Sequence, residues 1–388
     1  MTRSYMDYNA SVPLLDDALQ AMIDVLALHG NASSVHFEGR EFRKIIEKSR
    51  LQLGKLIEAE ANQIIFTSGA TEAAMHALSP IIRIGGNEIK ISKLYVSGVE
   101  HPCVLSGGRF AKSDMETLPV TGSGVLDLNG LKKAMETHDH SAGAAMVAVM
   151  LANNENGIVQ PIEEISQIVH EYGAYLMVDA VQAVGKIPVS IATLGADFII
   201  LSSHKIGGPQ GVGALILGNA SLSPLPMMLG GGHENFQRAG TENVAAIAGF
   251  GAACVWQGKN ASKNEFVRGL RDKIESGVKA IALEAGNEVA QPVIFGSNEQ
   301  RLGNTSCFAQ PGVMIDTAMI MLDLDGVSIS SGSACSSGKV NTSHVLRAMG
   351  VEEDLAKGAV RVSLGWNSSE TDTEKFLNTW KKLVKRAA

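Results

Sequence analysis

Phe198-Ile199-Ile200-Leu201-Ser202-Ser203-His204-Lys205 is the stretch that decides the fold. Its four leading apolar residues read as a short buried strand, and the polar tetrad behind them falls at the strand's carboxyl end. A second run, Tyr175-Leu176-Met177-Val178, leads into Asp179, which stands 26 residues before Lys205 and is followed by Gln182. Open α/β sheets bind ligands at the carboxyl ends of their strands. An amine and a carboxylate held there suit pyridoxal phosphate. Lysine forms a Schiff base with its aldehyde, and aspartate keeps the pyridine nitrogen protonated so that the ring accepts carbanion charge. An ordinary α/β domain with a surface lysine and a strand-end aspartate fits these two segments equally well, so the rest of the chain has to choose.

Outward from this pair, apolar runs at 63–66, 93–96, 145–149 and 213–217 alternate with helical patterns. Such alternation implies an α/β fold with a largely parallel sheet and helices on both faces. The polar, turn-rich segment 257–262 reads as a boundary. Beyond it the pattern predicts a helix over about 262–285, short strands near 291–295 and 305–308, and a helix near 313–322. A strand at 359–363 and a terminal helix complete a smaller α+β domain. The expected division is a large cofactor domain at 16–258 and a small domain made of 1–15 and 259–388.

Composition narrows the function classes. At 388 residues, with 45% hydrophobic and 19% charged residues, the chain is long enough for two domains of ordinary globular character. A net charge of −7 argues against nucleic acid or an anionic membrane as the main partner. The opening residues hold no apolar leader, and no apolar run approaches the roughly 18 residues of a membrane span. Cys103, Cys254, Cys307 and Cys335 lie far apart, without metal-site or disulfide spacing, so a reducing cytoplasm is expected. Cys254 and Cys307 sit in apolar segments and read as structural. Cys103 follows His101 by two residues; in extended chain such side chains point apart, so it reads as packing.

Several polar segments follow predicted strands. Thr67-Ser68-Gly69-Ala70-Thr71-Glu72 opens a helix, where free backbone N–H groups and a hydroxyl make either a phosphate site or a plain N-cap. Ser202 and His204 offer further phosphate donors. His101 is placed to stack on a ring and shuttle protons, or is simply a loop residue. Asn153-Asn154-Glu155-Asn156-Gly157 brings amides to another strand end, or forms a turn. Gly230-Gly231-Gly232-His233-Glu234 is a further glycine-rich loop. Arg361 alternates with apolar neighbours and either salt-bridges or clamps a carboxylate. Cys335 lies in Ser333-Ala334-Cys335-Ser336-Ser337-Gly338, which has no bulky side chain to bury. The expectation is an exposed, reactive thiol on a mobile loop at about 327–341.

Taken in order, Asp7-Tyr8-Asn9-Ala10, Ser68-Gly69-Ala70-Thr71-Glu72, Glu100-His101, Asn153-Asn154-Glu155, Val178-Asp179-Ala180-Val181-Gln182, Ser202-Ser203-His204-Lys205, Gly240-Thr241, Ser331-Gly332-Ser333-Ala334-Cys335 and Val360-Arg361-Val362-Ser363 resemble the cysteine desulfurases. These are pyridoxal phosphate enzymes of the aspartate aminotransferase fold (fold type I). The serine- and glycine-rich setting of Cys335 is similar to the class I, NifS/IscS-like branch. The resemblance covers nearly the whole chain.

It implies Lys205, Cys335 and His101 as the catalytic residues. Lys205 carries the cofactor and then takes the substrate Cα proton, His101 accepts the substrate thiol's proton, and Cys335 attacks the sulfur. Cofactor contacts are implied for Ala70, Thr71, Asn154, Asp179, Gln182, Ser202, His204 and Lys205, with Thr241 reaching the phosphate of the partner in a homodimer. Asn9, Asn154 and Arg361 are the implied substrate contacts. The implied reaction turns L-cysteine into L-alanine and leaves a persulfide on Cys335 for an acceptor protein, an iron–sulfur scaffold or a tRNA-thiolation carrier. No resident metal is implied, although Cys335 would touch a transferred iron–sulfur cluster. A selenocysteine lyase and a sulfur carrier without turnover remain alternatives. Other fold type I enzymes have no need of the thiol.

Overall fold

The computed structural model describes residues 3–286, 290–332 and 342–387. Cys335, and with it most of the segment expected to carry the nucleophile, lies outside the described residues.

A nine-stranded mixed sheet forms the larger layer. At its centre Asn87–Ser97, Ala144–Met150, Tyr175–Asp179 and Phe198–Ser202 run parallel, and Met115–Leu118 joins the first of them, also parallel. Residues 145–150, 176–179 and 198–202 are buried throughout. Strands covered on both faces need apolar side chains on both, which is why they read as unbroken apolar runs rather than alternations. The predicted strand at 213–217 exists but lies antiparallel to both neighbours, Phe198–Ser202 and Ile64–Thr67. Antiparallel Ile81–Ile84 and Leu222–Pro224 finish the opposite side.

Register does the positioning. Met150 pairs with Asp179, and Asp179 with Ile200. The loops after these strands therefore leave the sheet side by side, at its carboxyl edge.

Helix Val244–Asn260 packs between Asp16–Leu26 and Phe37–Ile57. It is apolar around most of its circumference, as befits a buried helix. A Cβ on Gly251 would lie 2.3 Å from Gln52 Oε1 and 2.9 Å from the Ser49 Cα, so glycine permits the close crossing. This helix corrects the expected break at 257–262. Residues 257–260 stay helical, Asn260 Nδ2 donates back to the Trp256 carbonyl at 2.9 Å, and only Ala261-Ser262 turn before helix Lys263–Ala285 begins. Polar composition there marks a solvated helix end, not a linker.

A second core gathers Met6, Ile274, Phe308, Phe376 and Trp380 beneath a four-stranded sheet of Val293–Ile294, Thr305–Ala309, Ala359–Ser363 and Ser330–Ser331. Trp380 stacks on Phe376 with ring centres 5.7 Å apart. The amino-terminal residues divide between the two layers. Ser4–Tyr5 pairs in parallel with Val327–Ser328, while the Val12 and Leu15 N–H groups donate to the carbonyls of His204 and Gly207.

The loop 230–236 is largely exposed but anchored through one side chain. The Glu234 carboxylate is buried, accepts the Phe66 N–H at 2.9 Å and pairs with Arg50 at 2.7 Å, which staples the loop to the sheet.

Candidate active site

The aligned strand ends enclose a cavity of about 520 Å³ lined by Asn9, Thr71, His101, Asp179, Lys205 and Arg361. Ala70, Asn154, Gln182, Ser202 and His204 line it as well. The structure thus brings together every described residue expected at the site except Thr241. That residue lies on a different cavity, beside His29, Asn31 and Val244.

Lys205 is leashed by two carbonyls: its Nζ donates to Asn9 O and Ala10 O, each at 2.7 Å. Asp179 ends a strand that is buried from Leu176 onward, and one of its oxygens accepts the Val181 N–H at 2.9 Å. Burial drives its pKa up to about 6, with the backbone N–H and Lys205 opposing. Ionised, such a carboxylate calls for a cation. Gln182 Nε2 donates to Asn9 O at 2.9 Å.

At the other side, Ala70 begins helix Ala70–Ala77. First-turn N–H groups have no intrahelical acceptor, so those of Ala70 and Thr71 are available to an anion. Gly69 leaves the approach open, with nothing within 4 Å of an added Cβ. A Cβ on Gly213 would instead strike the Gly69 backbone at 2.7 Å, which explains the glycine on the adjoining strand. Glu72 fixes this turn: it accepts the Ser68 N–H at 2.7 Å and pairs with Arg238 at 2.8 Å.

His101 caps the short helix Pro102–Leu105, its Nδ1 accepting the Cys103 N–H at 3.2 Å. The Cys103 sulfur is 3.0 Å from the same nitrogen. This corrects the reading of Cys103 as mere packing. Pro102 starts a helical turn, so the chain is not extended and positions i and i+2 converge. Burial, Lys205 and His344 lower the His101 pKa to about 4, and burial and Lys205 do the same to His204. Both rings are neutral at neutral pH. Burial pushes the Cys103 thiol up to about 12, so it stays protonated.

Arg361 is buried, with Nη2 2.7 Å from Asp7 Oδ1 and Nη1 donating to the Asn154 carbonyl at 3.1 Å. Its Nε has no hydrogen-bond partner among the described residues. Asn9 is the hub between the layers, its Nδ2 donating to Asn154 O at 3.1 Å and Thr305 Oγ1 at 2.9 Å. Asp7 and Cys103 were missed as contributors by sequence reasoning. Only the motif Asp7-Tyr8-Asn9 carried a hint of the first.

The donor set fits pyridoxal phosphate: an amine, a buried carboxylate wanting a cation, an amide, and N–H and hydroxyl donors at a helix start. Among the described residues no cluster of histidine, cysteine or carboxylate side chains is arranged to hold a metal ion. No helix among them is long and apolar enough to cross a membrane.

Comparison with known proteins agrees with this geometry. The profile of the family "Aminotransferase class-V" matches residues 4–376. Cysteine desulfurase IscS of Dictyoglomus turgidum is 37% identical over 98% of this chain and 94% of its own. A cysteine desulfurase of Cereibacter sphaeroides is 36% identical over 99% and 96% respectively. Among solved structures, a NifS-like protein from Rickettsia africae superposes with a TM-score of 0.85 at 31% identity, covering 98% of this chain and 99% of that one. The chain belongs to the class-V aminotransferase family, a pyridoxal phosphate-dependent family, and stands among its cysteine desulfurases.

Proposed function

We propose that the protein takes the sulfur atom of L-cysteine onto Cys335, releases L-alanine and passes the sulfur to an acceptor protein. The observation that carries this reading is the shared cavity of Lys205 and Asp179, an amine and a cation-seeking carboxylate, in a chain that matches cysteine desulfurases along its length.

Pyridoxal phosphate, when bound, supplies an aldehyde for the amine and a ring that takes up negative charge from the substrate Cα. Asp179 would hold the ring nitrogen protonated, Gln182 would donate to the ring hydroxyl, and Thr71, Ser202 and His204 would hold the phosphate with the Ala70 and Thr71 N–H groups. Asn154 completes this set.

Lys205 would be the amine that holds the group and the base that takes the substrate Cα proton. Arg361 receives the substrate carboxylate together with Asn9 and Asn154; its unpartnered Nε supports that role. His101 lines the same cavity and would handle protons beside the bound group. Its Nδ1 is occupied as an acceptor, so neutral His101 carries its proton on Nε2 and exchanges it there. The thiolate of Cys335 attacks the substrate sulfur. An S–S bond forms, the C–S bond breaks with its electron pair going to carbon, and protonation of that carbon side yields alanine.

We assign a cofactor domain to 16–258 and a smaller domain to 1–15 and 259–388, a division that falls within helix Val244–Asn260. Thr241, absent from its own cavity, serves the partner's phosphate in a homodimer. The acceptor is an iron–sulfur scaffold or a tRNA-thiolation carrier, and the setting is cytoplasmic.

The test is incubation of purified holoenzyme with L-cysteine, followed by alanine assay and peptide mass spectrometry, with L-selenocysteine in parallel. The expected result is alanine formation with one added sulfur on the peptide containing Cys335. Alanine without that mass shift in the first turnover would remove Cys335 from its role. Turnover of selenocysteine alone would replace the substrate.

A further inference from the structure

Lys186 stands behind the cofactor cavity, and nothing in the chemistry above uses it. It is a partly buried residue whose charged end is turned into the protein. Among the described residues its Nζ has no carboxylate partner. It donates to Gln182 Oε1 at 2.5 Å and to Asn9 Oδ1 at 3.1 Å. Both acceptors line the cofactor cavity. Burial, Lys205 and Arg361 hold the Lys186 pKa well below the usual lysine range, and an amine buried on two amide oxygens is an expensive way to fill space.

The contacts have a geometric consequence. The two ends of a glutamine amide have nearly the same shape, and either end can face a given neighbour. The Lys186 amine offers N–H donors to its neighbours and selects Oε1, at 2.5 Å. A carbonyl only accepts, so Asn9 O, at 2.9 Å, selects Nε2. Together they admit one orientation of Gln182, and the second Nε2 hydrogen is left for the cavity. Asn9 is held in the same way. Its Oδ1 accepts from Lys186 and from Asn304 Nδ2 at 3.1 Å, while its main-chain carbonyl receives Lys205.

We propose that Lys186 is a positioning residue for the cofactor, orienting the Gln182 amide toward the ring hydroxyl and fixing the Asn9 carbonyl to which Lys205 is tied. This rests on the reading of the cavity as the pyridoxal phosphate site. The titratable groups around Lys186 are Tyr8, Lys205 and Lys263 on the neighbouring cavity wall and the Arg361 guanidinium, which Asp7 neutralises. Burial, Lys205 and Arg361 all lower the Lys186 pKa, so its effect on the cofactor comes through the hydrogen bonds it makes. A donor held on the ring hydroxyl favours loss of the proton that the visible absorption band of the bound cofactor reports.

The experiment compares wild-type holoenzyme with Lys186→Met, Lys186→Arg, Gln182→Leu and the Lys186→Met/Gln182→Leu double variant. Pyridoxal phosphate dissociation constants and the pH midpoint of the visible band are the readouts. Lys186→Met is expected to weaken cofactor binding about tenfold and raise the midpoint by about one unit, the size of one lost hydrogen bond. Lys186→Arg should recover most of both. In the double variant the affinity loss should fall short of the sum of the two single losses, because part of the Lys186 effect passes through the Gln182 amide. Wild-type affinity with an unmoved midpoint in Lys186→Met, or additive affinity losses in the double variant, would overturn the proposal. Should the methionine variant not fold, Lys186→Gln is read instead, and an unmoved midpoint there counts equally against it. A wild-type protein that takes up no pyridoxal phosphate would sink the reading of the cavity rather than the role of Lys186.

Discussion

Replacing Asp179 by asparagine should make the cofactor-free protein more stable while making it a poorer holder of its cofactor. Burial raises the Asp179 carboxyl from 3.8 to about 6. That rise, roughly two units at about 1.4 kcal/mol each, means that folding with the carboxylate ionised costs about 3 kcal/mol. The sign follows from proton binding. Between pH 3.8 and about 6 the folded chain holds this proton and the unfolded chain has lost it, so stability falls as pH rises through that window. Below it there is no cost, and above it the full cost applies. Asparagine never ionises, and its Oδ1 can keep the Val181 N–H. Fully buried Glu100, whose carboxyl is raised by burial and by the Asp179 charge, is relieved as well. Urea unfolding of both cofactor-free proteins near pH 8 should show the variant ahead by about 3 kcal/mol, a midpoint shift of about 1 M for an m-value near 3 kcal/mol/M. Near pH 4 the two curves should nearly coincide. With saturating pyridoxal phosphate the order should reverse, because a ring cation compensates the carboxylate and ligand binding adds to stability by mass action. Equal midpoints at both pH values, or a variant that is weaker at high pH, would refute the argument that this carboxylate is held in wait for a cation.

Three further outcomes can be checked. Lys205→Ala should lose the visible absorption of the bound cofactor, as followed by spectrophotometry after reconstitution and dialysis. Glu234→Gln should cost about 3–5 kcal/mol in denaturant unfolding, because it leaves Arg50, with a side chain only 8% exposed, without its buried partner. The His101 ring should titrate near pH 4 and carry its proton on Nε2 above that pH, as read by nitrogen NMR of the labelled cofactor-free protein. A midpoint near 6.5, or an Nδ1–H tautomer, would contradict the cap geometry.

Much of this protein can be read along the chain, and the reason is local. A strand buried on both faces must be apolar at every position, so 175–178 and 198–201 announce themselves. The residue that ends such a run is delivered to the sheet edge, which is why Asp179, Gln182 and Ser202–Lys205 could be assigned to one site before any fold was known. The apolar runs do not tell direction: 213–217 looks like its neighbours and yet runs against them, since the pattern reports burial and not pairing.

The contacts decided only in three dimensions join residues that no spacing connects. Arg361 meets Asp7 across 354 positions, and Arg50 meets Glu234 across 184. Asn9 gathers both layers and both lysines through atoms that composition cannot distinguish from those of any other asparagine. The pairing of Cys103 with His101 depends on Pro102 starting a helical turn. Nothing in the sequence around Lys186 announces that its amine meets Gln182 and Asn9. Periodicity records how much solvent a side chain loses; which partner replaces that solvent is settled by packing between segments, and the catalytic cavity is made of such replacements.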